Sequence, residues 1–353
     1  MRIAMILPSL SATGPGIMVR ELTGGLQRHG HLCKVFYFDE IPEIEMPCPV
    51  ERIGFFDAID LKNWDVVHSH MLRPDSYIAF RKAVERDLRR VRFVSTLHNP
   101  VSYRAFRTGY GRPASVLGVL AWKAALAAFH SVVVLNLSIY ETISGVSRKK
   151  LDIVYNGRDI SPAPCSLLLS KDSVLRALIE KYCIMGTVSS LTKRKGLDQM
   201  IKALPQLPEF AAVIVGSGPE ERSLKSLAEE FGVQERCFFA GQQADPLPWH
   251  SLFDVFVMCS SSEGFPLALI EAAANKTPSV LSDIPVFKSI VSDKEAVFYQ
   301  LGHIDSLAAA IRRAHDHSSA YSDAIGRYYT ENLTADKMVN AYLRVYRGEG
   351  ASA

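Results

Sequence analysis

The chain has 353 residues, of which 48% are hydrophobic and 22% charged, and its formal net charge is +3. This composition is ordinary for a soluble globular enzyme, and no low-complexity tract or internal repeat is visible. A chain of this length is expected to form about two domains. The six cysteines show neither a C-x-x-C nor a zinc-finger spacing. We therefore expect buried thiols in a reducing compartment.

Short apolar runs typical of buried strands alternate with helical stretches along the whole chain. In the first half we expect strands at Ile3–Leu7, Cys33–Phe38, Val66–His68, Phe93–Leu97, Val132–Leu135 and Ile153–Tyr155. In the second half we expect them at Ile184–Val188, Ala212–Val215, Cys237–Phe239, Val255–Met258, Ser279–Leu281 and Val297–Tyr299. Two such sets predict an α/β protein with two Rossmann-like domains and parallel sheets. Ligands should then bind at the carboxyl ends of the strands.

Two strand ends in the first half carry candidate site residues. A turn with Gly14 and Gly16 follows the first predicted strand, and glycines there let the backbone approach a phosphate. His98 follows another predicted strand, at the end that should face a ligand. A lone histidine is more often structural, and we give His68 and His70 that interpretation.

Positive charge and aromatic residues concentrate in one stretch of the first half. Residues 73–123 contain eleven lysines and arginines against three acids, although a solvated helix face would explain residues 81–92 equally well. Aromatics and arginines then alternate at Tyr103, Arg104, Phe106, Arg107, Tyr110 and Arg112. Such a surface suits an anionic membrane or an anionic acceptor. Because no run resembles a membrane span or a signal-peptide core, we expect a cytoplasmic protein, peripheral on the inner face of the membrane.

Several loops of the second half follow predicted strands. One carries Lys193, Arg194 and Lys195 just before a glycine, and another has a tight turn with Gly218. No two aspartates are separated by a single residue anywhere in the chain, so the Asp-x-Asp metal motif is absent. We therefore predict no metal site.

The stretch from Ser262 to Glu271 is the most informative. A predicted strand precedes it, and Pro266 suits the first turn of a helix that should begin near Leu267. A strand, a glycine-containing turn and a helix start together form a ready anion site. Glu263 would stand in the turn and Glu271 on the helix, unless both are simply solvated.

This stretch resembles the Glu–seven residues–Glu signature of retaining glycosyltransferases of family 4, which have the GT-B fold. The segment from Asn156 to Asp159 resembles the family's Asn-Gly-x-Asp at the domain junction. The resemblance implies two Rossmann-like domains whose parallel sheets face each other across a cleft. We expect an acceptor domain at 1–162, with helix 335–347 packing back on it, and a nucleotide-sugar donor domain at 163–334.

The resemblance also implies a role for each candidate residue. His98, Glu263 and Lys195 would be catalytic: His98 and Glu263 would contact the transferred sugar, and Lys195 the phosphates. Glu271 would hold the ribose and Gly218 would border the base. The backbone of two turns would cradle the phosphates, at Gly14, Gly16, Gly264, Phe265, Pro266 and Leu267. Where the family has an arginine this chain has Ser189 or Ser190, and Lys193 or Arg194 is the candidate replacement.

The implied activity is transfer of a hexosyl-type sugar from a nucleotide diphosphate sugar to an acceptor hydroxyl, with retention and without a metal or other cofactor. The expected setting is bacterial surface polysaccharide, such as O-antigen, lipopolysaccharide or capsule. The partners would be a glycan or lipid-linked acceptor and an anionic membrane, with no nucleic acid. The base, UDP, GDP or another, stays open. The alternatives are a sugar-nucleotide epimerase or phosphorylase of the same fold, or a catalytically silent glycan or nucleotide-sugar binding protein.

Overall fold

A computed structural model describes residues 1–41, 43–85, 87–99, 112–143, 150–166, 168 and 172–350, without the side chains of 112–116 and 142. The chain divides into two units, one of Met1–Asp159 with Asn332–Ala353 and one of Ile160–Glu331. Each unit contains a sheet in which all the strand pairs are parallel. The predicted fold class, α/β with two parallel sheets, is confirmed.

The first unit has a seven-stranded sheet among the described residues, in the order β3-β2-β1-β4-β5-β6-β7. Its strands are β1 (Arg2–Ser9), β2 (Leu32–Asp39), β3 (Val50–Arg52), β4 (Val66–His70), β5 (Arg92–Leu97), β6 (Ser131–Val134) and β7 (Leu151–Ile153). The central strands form where apolar side chains are continuous, because helices cover both faces of the sheet. The edge strand β3 was not predicted, since its three residues are exposed and two are charged.

Helices of the first unit pack on both faces of this sheet. They are α1 (Gly14–Arg28), α2 (Leu72–Val84), α3 (Arg112–Leu126), α4 (Leu137–Thr142) and the C-terminal helix (Ala335–Arg347), with a 3₁₀ turn at Leu61–Asn63. The C-terminal helix has the predicted bounds. It is amphipathic, and its buried side chains Tyr342 and Tyr346 join the same core as α1 and β1. Its N-terminus is capped by the Thr334 hydroxyl, which accepts from the Lys337 amide at 3.4 Å.

The second unit has a six-stranded sheet among its described residues, in the order β10-β9-β8-β11-β12-β13. Its strands are β8 (Cys183–Val188), β9 (Phe210–Val215), β10 (Cys237–Gly241), β11 (Val255–Met258), β12 (Ser279–Ser282) and β13 (Val297–Tyr299). Every strand that the sequence predicted in the two halves is found, with ends that differ by at most two residues. Strand β7 is displaced as a whole, with both ends two residues earlier than expected, because it pairs with β6 from Leu151 onward.

The helices of the second unit complete its α/β alternation. They are α5 (Ser173–Lys181), α6 (Asp198–Ala203), α7 (Glu221–Glu230), α8 (Leu247–His250), α9 (Leu267–Ala274), α10 (Pro285–Lys288), α11 (Ile304–Asp316) and α12 (Ser318–Tyr328). Short 3₁₀ turns lie at Lys193–Lys195, Leu204–Gln206 and Gln234–Arg236, and a π turn lies at Tyr329–Leu333. Across the described part of the chain, none of the helices combines the length and hydropathy that a membrane crossing requires.

Candidate active site

The turn between β11 and α9 places Glu263 at the carboxyl end of the second sheet. Glu263 is only 7% exposed, and the hydroxyl of Ser260 donates to its Oε1 at 2.6 Å. Helix α9 begins at Leu267 as predicted. Pro266 is extended and directly precedes the helix, so it caps the helix and does not lie in its first turn. The turn thus holds a nearly buried carboxylate next to a helix N-terminus.

Two cations bind this carboxylate from the loop after β8. Nζ of Lys195 lies 2.6 Å from Oε1 of Glu263, and a guanidinium nitrogen of Arg194 lies 3.1 Å from Oε2. Burial raises the pKa of the Glu263 carboxyl, but the charges of Lys195 and Arg194 and the hydrogen bonds from Lys195 and Ser260 outweigh burial and lower it. Glu263 is therefore an ionised carboxylate that holds Lys195 and Arg194 in one place.

The two loops meet because β8 and β11 are neighbours in the sheet. The Ser261 amide donates to the Arg194 carbonyl at 2.9 Å, and Arg194 also donates to the Ser262 carbonyl. Gly196, with φ of +61°, ends the Lys193–Lys195 turn, and a Cβ there would lie 2.4 Å from the Cys259 carbonyl oxygen. A glycine at this position therefore lets the lysine and arginine side chains reach Glu263.

Glu271, the second glutamate of the signature, faces the interior of the second unit. It lies on α9, is 6% exposed, and its Oε2 is 3.1 Å from Nε2 of His250. His250 could not be predicted from the sequence, because residues 21 positions apart on separate elements leave no periodic pattern. Ser260 is one of three consecutive serines in the turn, and nothing in the sequence distinguishes it as the one that contacts Glu263. Glu271 and Glu263 thus lie on the same segment but have different partners.

Lys193 and Gly218 have local structural roles of their own. Lys193 is exposed and lines a cavity of about 260 Å³ together with Lys202, Asp198 and Glu220, and it does not pair with Glu263. A Cβ on Gly218 would lie 2.4 Å from the Leu191 carbonyl oxygen, so close packing of two loops is sufficient to explain this glycine.

Phe265 is buried, with 9% of its surface exposed. Gly264 lies between it and Glu263.

In the first unit, Gly14 and Gly16 lie in the first turn of α1 and not in a loop before it. A Cβ on Gly16 would come within 2.2 Å of the Ser11 carbonyl oxygen, whereas one on Gly14 would meet open space. The carboxylate of Glu43 accepts from the Ala12 amide at 2.8 Å. An anionic group therefore already occupies one amide of the predicted phosphate turn.

Three histidines cluster at the carboxyl end of the first sheet. Nδ1 of His70 lies 3.1 Å from Nε2 of His98, and Nε2 of His70 is buried without a hydrogen-bond partner in the described part of the chain. Nε2 of His68 lies 2.8 Å from the Thr96 hydroxyl, and its Nδ1 lies 2.7 Å from the Tyr346 hydroxyl. Tyr346 belongs to the C-terminal helix, so this hydrogen bond joins that helix to strand β4.

These imidazoles are neutral near pH 7. Burial lowers the pKa of His68 and of His98 to about 3, with a smaller contribution from His98 to the shift of His68. Burial and the neighbouring histidines also hold the pKa of His70 well below its ordinary value. His98 is 5% exposed. The cluster therefore offers hydrogen-bonding nitrogens without positive charge.

The turn after β4 contains a strained residue, Met71, and lies close to the buried carboxyl of Asp75. Met71 has φ of +76° and ψ of 169°, a conformation that costs about 1–3 kcal/mol for a residue with a side chain. Nearby, Asp75 is fully buried and accepts from the Ser69 hydroxyl and the Trp122 indole, each at 2.6 Å. Burial raises the pKa of Asp75 to about 7 despite these hydrogen bonds.

The predicted acceptor and membrane residues fall mainly outside the described part. Tyr103, Arg104 and Arg107 are outside the described residues, and Arg112 begins α3 with its side chain outside them. Two other basic residues of the same stretch have structural partners. Arg81 is 9% exposed and pairs with Glu85, and Arg92 donates to the Val345 carbonyl at 2.7 Å. Within the described ranges, no three His, Cys, Asp or Glu side chains are grouped as metal ligands.

Two family models match this chain, one in each half. Residues 12–162 match Glycosyltransferase Family 4, and residues 175–330 match Glycosyl transferases group 1. The second range contains the Glu263 and Glu271 segment and both cations, and the first contains the histidine cluster.

Individual relatives agree with the family models. The O-antigen biosynthesis glycosyltransferase WclY of Escherichia coli is 27% identical over 354 residues, which is 98% of each chain. The lipopolysaccharide core biosynthesis glycosyltransferase LpsE of Rhizobium meliloti is 31% identical over 131 residues, or 37% of this chain and 38% of that one. The crystal structure of HepE from Anabaena in complex with UDP has a TM-score of 0.80, covers 99% of this chain and 100% of its own, and is 16% identical. The chain belongs to the glycosyltransferases of the GT-B fold and family 4 type.

Proposed function

We propose that this protein transfers a hexosyl-type sugar from a nucleotide diphosphate sugar to an acceptor hydroxyl, with retention at the anomeric carbon. The observation that supports this most directly is the buried Glu263 with its two cations, beside the N-terminus of α9. The relatives WclY and LpsE are named for O-antigen and lipopolysaccharide core biosynthesis. We therefore propose bacterial surface polysaccharide as the setting and a glycan or lipid-linked hydroxyl as the acceptor.

The reaction breaks the bond between the anomeric carbon and the diphosphate oxygen, which leaves with the electron pair. The acceptor oxygen forms the new bond, and its proton passes to the departing diphosphate. Lys195 and Arg194 would stabilise the negative charge that develops on that group. The backbone of Gly264, Phe265 and Leu267 would assist. In this proposal Glu263 holds sugar hydroxyls and also keeps the two cations in position.

The same geometry bears on the missing family arginine. Arg194 reaches Glu263 at 3.1 Å, whereas Lys193 lines a separate cavity with Lys202 and Asp198. We therefore favour Arg194 as the replacement for the family arginine, whose position is occupied here by Ser189 or Ser190. Its guanidinium offers several donors in one plane, a geometry that suits a phosphate.

The remaining assignments carry over as proposals. Glu271 would hold the ribose, Gly218 would border the base, and the turn at Gly14 and Gly16 would approach the phosphates. His98 would contact the transferred sugar. With cations of its own at Glu263, the protein would need no metal, and activity in excess chelator should match activity in magnesium. Loss of activity in chelator that a divalent cation restores would contradict this.

We also propose a peripheral association with an anionic membrane on the cytoplasmic side. In support, the first unit exposes Phe56 and Phe80, which are in edge-to-face contact at 6.0 Å, and Phe56 is 80% exposed. Arg89 and Arg90 are exposed as well, and each basic residue at an anionic surface contributes about 1 kcal/mol. Vesicle cosedimentation at low salt tests this, with Phe56→Ser and with Arg104, Arg107 and Arg112 replaced by Ser. The exposed Phe231→Ser in the second unit is a matched control.

The central experiment is a thermal-shift screen with a panel of UDP-, GDP-, ADP- and dTDP-sugars, followed by a transfer assay with the best donor. A bound donor stabilises the fold by mass action. Nucleotide release that depends on an acceptor, with the anomeric configuration retained in the product by NMR, supports the proposal. Isomerised donor without acceptor would indicate an epimerase. Binding without turnover in any acceptor extract would indicate a silent binding protein.

A further inference from the structure

The imidazole of His250 contacts the carboxylate of Glu271 in the interior of the second unit. Its Nε2 lies 3.1 Å from Oε2, with the His250 side chain fully buried and that of Glu271 8% exposed. In the tautomer that carries its proton on Nε2, the imidazole donates to this carboxylate oxygen. His250 is the last residue of α8 and Glu271 lies on α9, with β11 between them in the chain. The hydrogen bond therefore holds the Glu271 side chain from outside its own helix.

The His250 ring is itself held on several sides. The rings of Phe253 and Phe256 lie 5.5 Å and 5.4 Å from it, centroid to centroid. The hydroxyl of Thr277 donates to the His250 carbonyl at 3.4 Å. Packing against these two rings restricts the orientations open to the imidazole and favours the contact between its Nε2 and Glu271.

The other ring nitrogen shows that this arrangement is not simply good packing. Nδ1 of His250 is buried and has no hydrogen-bond partner within the described part of the chain. Leaving a buried polar atom unpaired is unfavourable, so an apolar side chain of similar size would suit the aromatic surroundings better. The contact that uses the imidazole is the one to Glu271.

We infer that His250 is a positioning residue for nucleotide binding, which orients the Glu271 carboxylate toward a ribose hydroxyl of the donor. The inference rests on the proposed function, in which Glu271 holds the ribose. A carboxylate already fixed by His250 loses less side-chain entropy when the nucleotide binds, and so binds it more tightly.

The test measures, by calorimetry, the affinity of the intact chain for whichever of UDP, GDP, ADP and dTDP binds most tightly. His250→Gln keeps an amide donor near the position of Nε2. His250→Met has a similar size without the donor, and His250→Phe keeps an aromatic ring without it. Each variant is also titrated with the 2′-deoxy and 3′-deoxy forms of the same nucleotide. Glu271→Ala identifies the deoxy analogue in which the hydroxyl held by Glu271 is missing.

We expect His250→Met and His250→Phe to weaken binding about fivefold and His250→Gln to bind within about twofold of the unaltered chain. The losses should disappear with the deoxy analogue that Glu271→Ala identifies, because positioning matters only when that hydroxyl is present. A purely structural role would weaken every nucleotide equally, and that result would overturn the inference. Melting temperatures show which variants fold. One folded variant without the hydrogen-bond donor, His250→Met or His250→Phe, is enough to test the inference.

Two further outcomes separate this inference from the proposed function. If Glu271→Ala weakens nucleotide binding while the donor-free His250 variants bind like the unaltered chain, His250 has no positioning role and the proposed function stands. If Glu271→Ala leaves the affinity unchanged, or if none of UDP, GDP, ADP and dTDP binds, the ribose assignment fails and the inference fails with it.

Discussion

The carboxyl edges of the two sheets differ in their electrostatics. In the first unit the edge carries the buried imidazoles of His68, His70 and His98, all with lowered pKa values. In the second unit it carries Glu263 with Lys195. Neutral polar groups can be buried with hydrogen bonds alone, whereas a buried charge persists only with a partner. The second edge therefore suits a charged diphosphate, and the first suits a neutral ligand such as a sugar.

The largest expected effect is on stability in acid, and it should start in the first unit. An unfolded histidine titrates near pH 6.5, whereas folded His68 and His98 stay neutral down to about pH 3. In between, the unfolded chain binds more protons, so the unfolding free energy falls as the pH falls, by up to about 1.4 kcal/mol per pH unit for each histidine. His70→Leu should flatten this slope between pH 6.5 and 4.5, and the exposed His303→Leu should leave it nearly unchanged.

Hydrogen exchange by mass spectrometry can locate the effect. The lowered pKa of Glu263 contributes stability above the unfolded carboxyl pKa, which is lost only as the pH falls through the lower folded value. At pH 5.5 peptides of the first unit should therefore lose protection before those of the second. Equal loss of hydrogen-exchange protection in the two units would contradict the electrostatic difference between the two carboxyl edges.

A second effect should appear in turnover. Glu263→Gln removes the charge that holds Lys195 and Arg194, and we expect kcat to fall by roughly 100-fold, as when a transition-state electrostatic contact is lost. Nucleoside diphosphate affinity should be unchanged or higher, because both cations are then available to the diphosphate. Steady-state kinetics and calorimetry measure the two quantities, with the exposed Glu235→Gln as control. A parallel loss of affinity would mean that Glu263 itself organises the nucleotide site.

Glu271→Ala should show the reverse pattern. Losing a hydrogen bond to a charged partner costs about 1.5–3 kcal/mol, so we expect nucleotide affinity to fall about tenfold or more, with kcat at saturating donor within a few-fold of the unaltered enzyme. The same calorimetric titration measures this. Unchanged affinity in Glu271→Ala would refute the ribose assignment.

The smallest effect concerns Asp75, a buried carboxyl on α2 whose pKa burial raises to about 7. Below that pH the folded state holds a proton that the unfolded chain, with a carboxyl pKa near 3.9, has released, so stability declines as the pH rises from about 4 to 7. Asp75→Asn should therefore raise the unfolding free energy at pH 8 by about 1 kcal/mol and do little at pH 4.5. Urea unfolding at both pH values checks this, and destabilisation at pH 8 would show that Ser69 and Trp122 need the charge.

The sequence predicted the sheets well because buried parallel strands are continuous apolar runs. It missed β3, whose stability comes from pairing with β2 and not from apolar residues of its own. For the site, the motif predicted a helix that begins near Leu267, which is found, whereas the roles of Glu263 and of Lys195 from a second family loop stay predictions. It could not predict His250 beside Glu271 or the His70–His98 contact, since both depend on which strands and helices become neighbours in space.

The hydrogen bond between His68 and Tyr346 joins residues 278 positions apart. During synthesis, residues 1–159 leave the ribosome first, yet Tyr346 emerges only after the whole of the second unit. Units made of one continuous segment can fold as they emerge. The second unit can therefore fold without waiting for a distant segment, whereas the histidines of the first unit lack their tyrosine partner until Tyr346 has emerged. The half of the protein that is translated first would be the last to reach its native state.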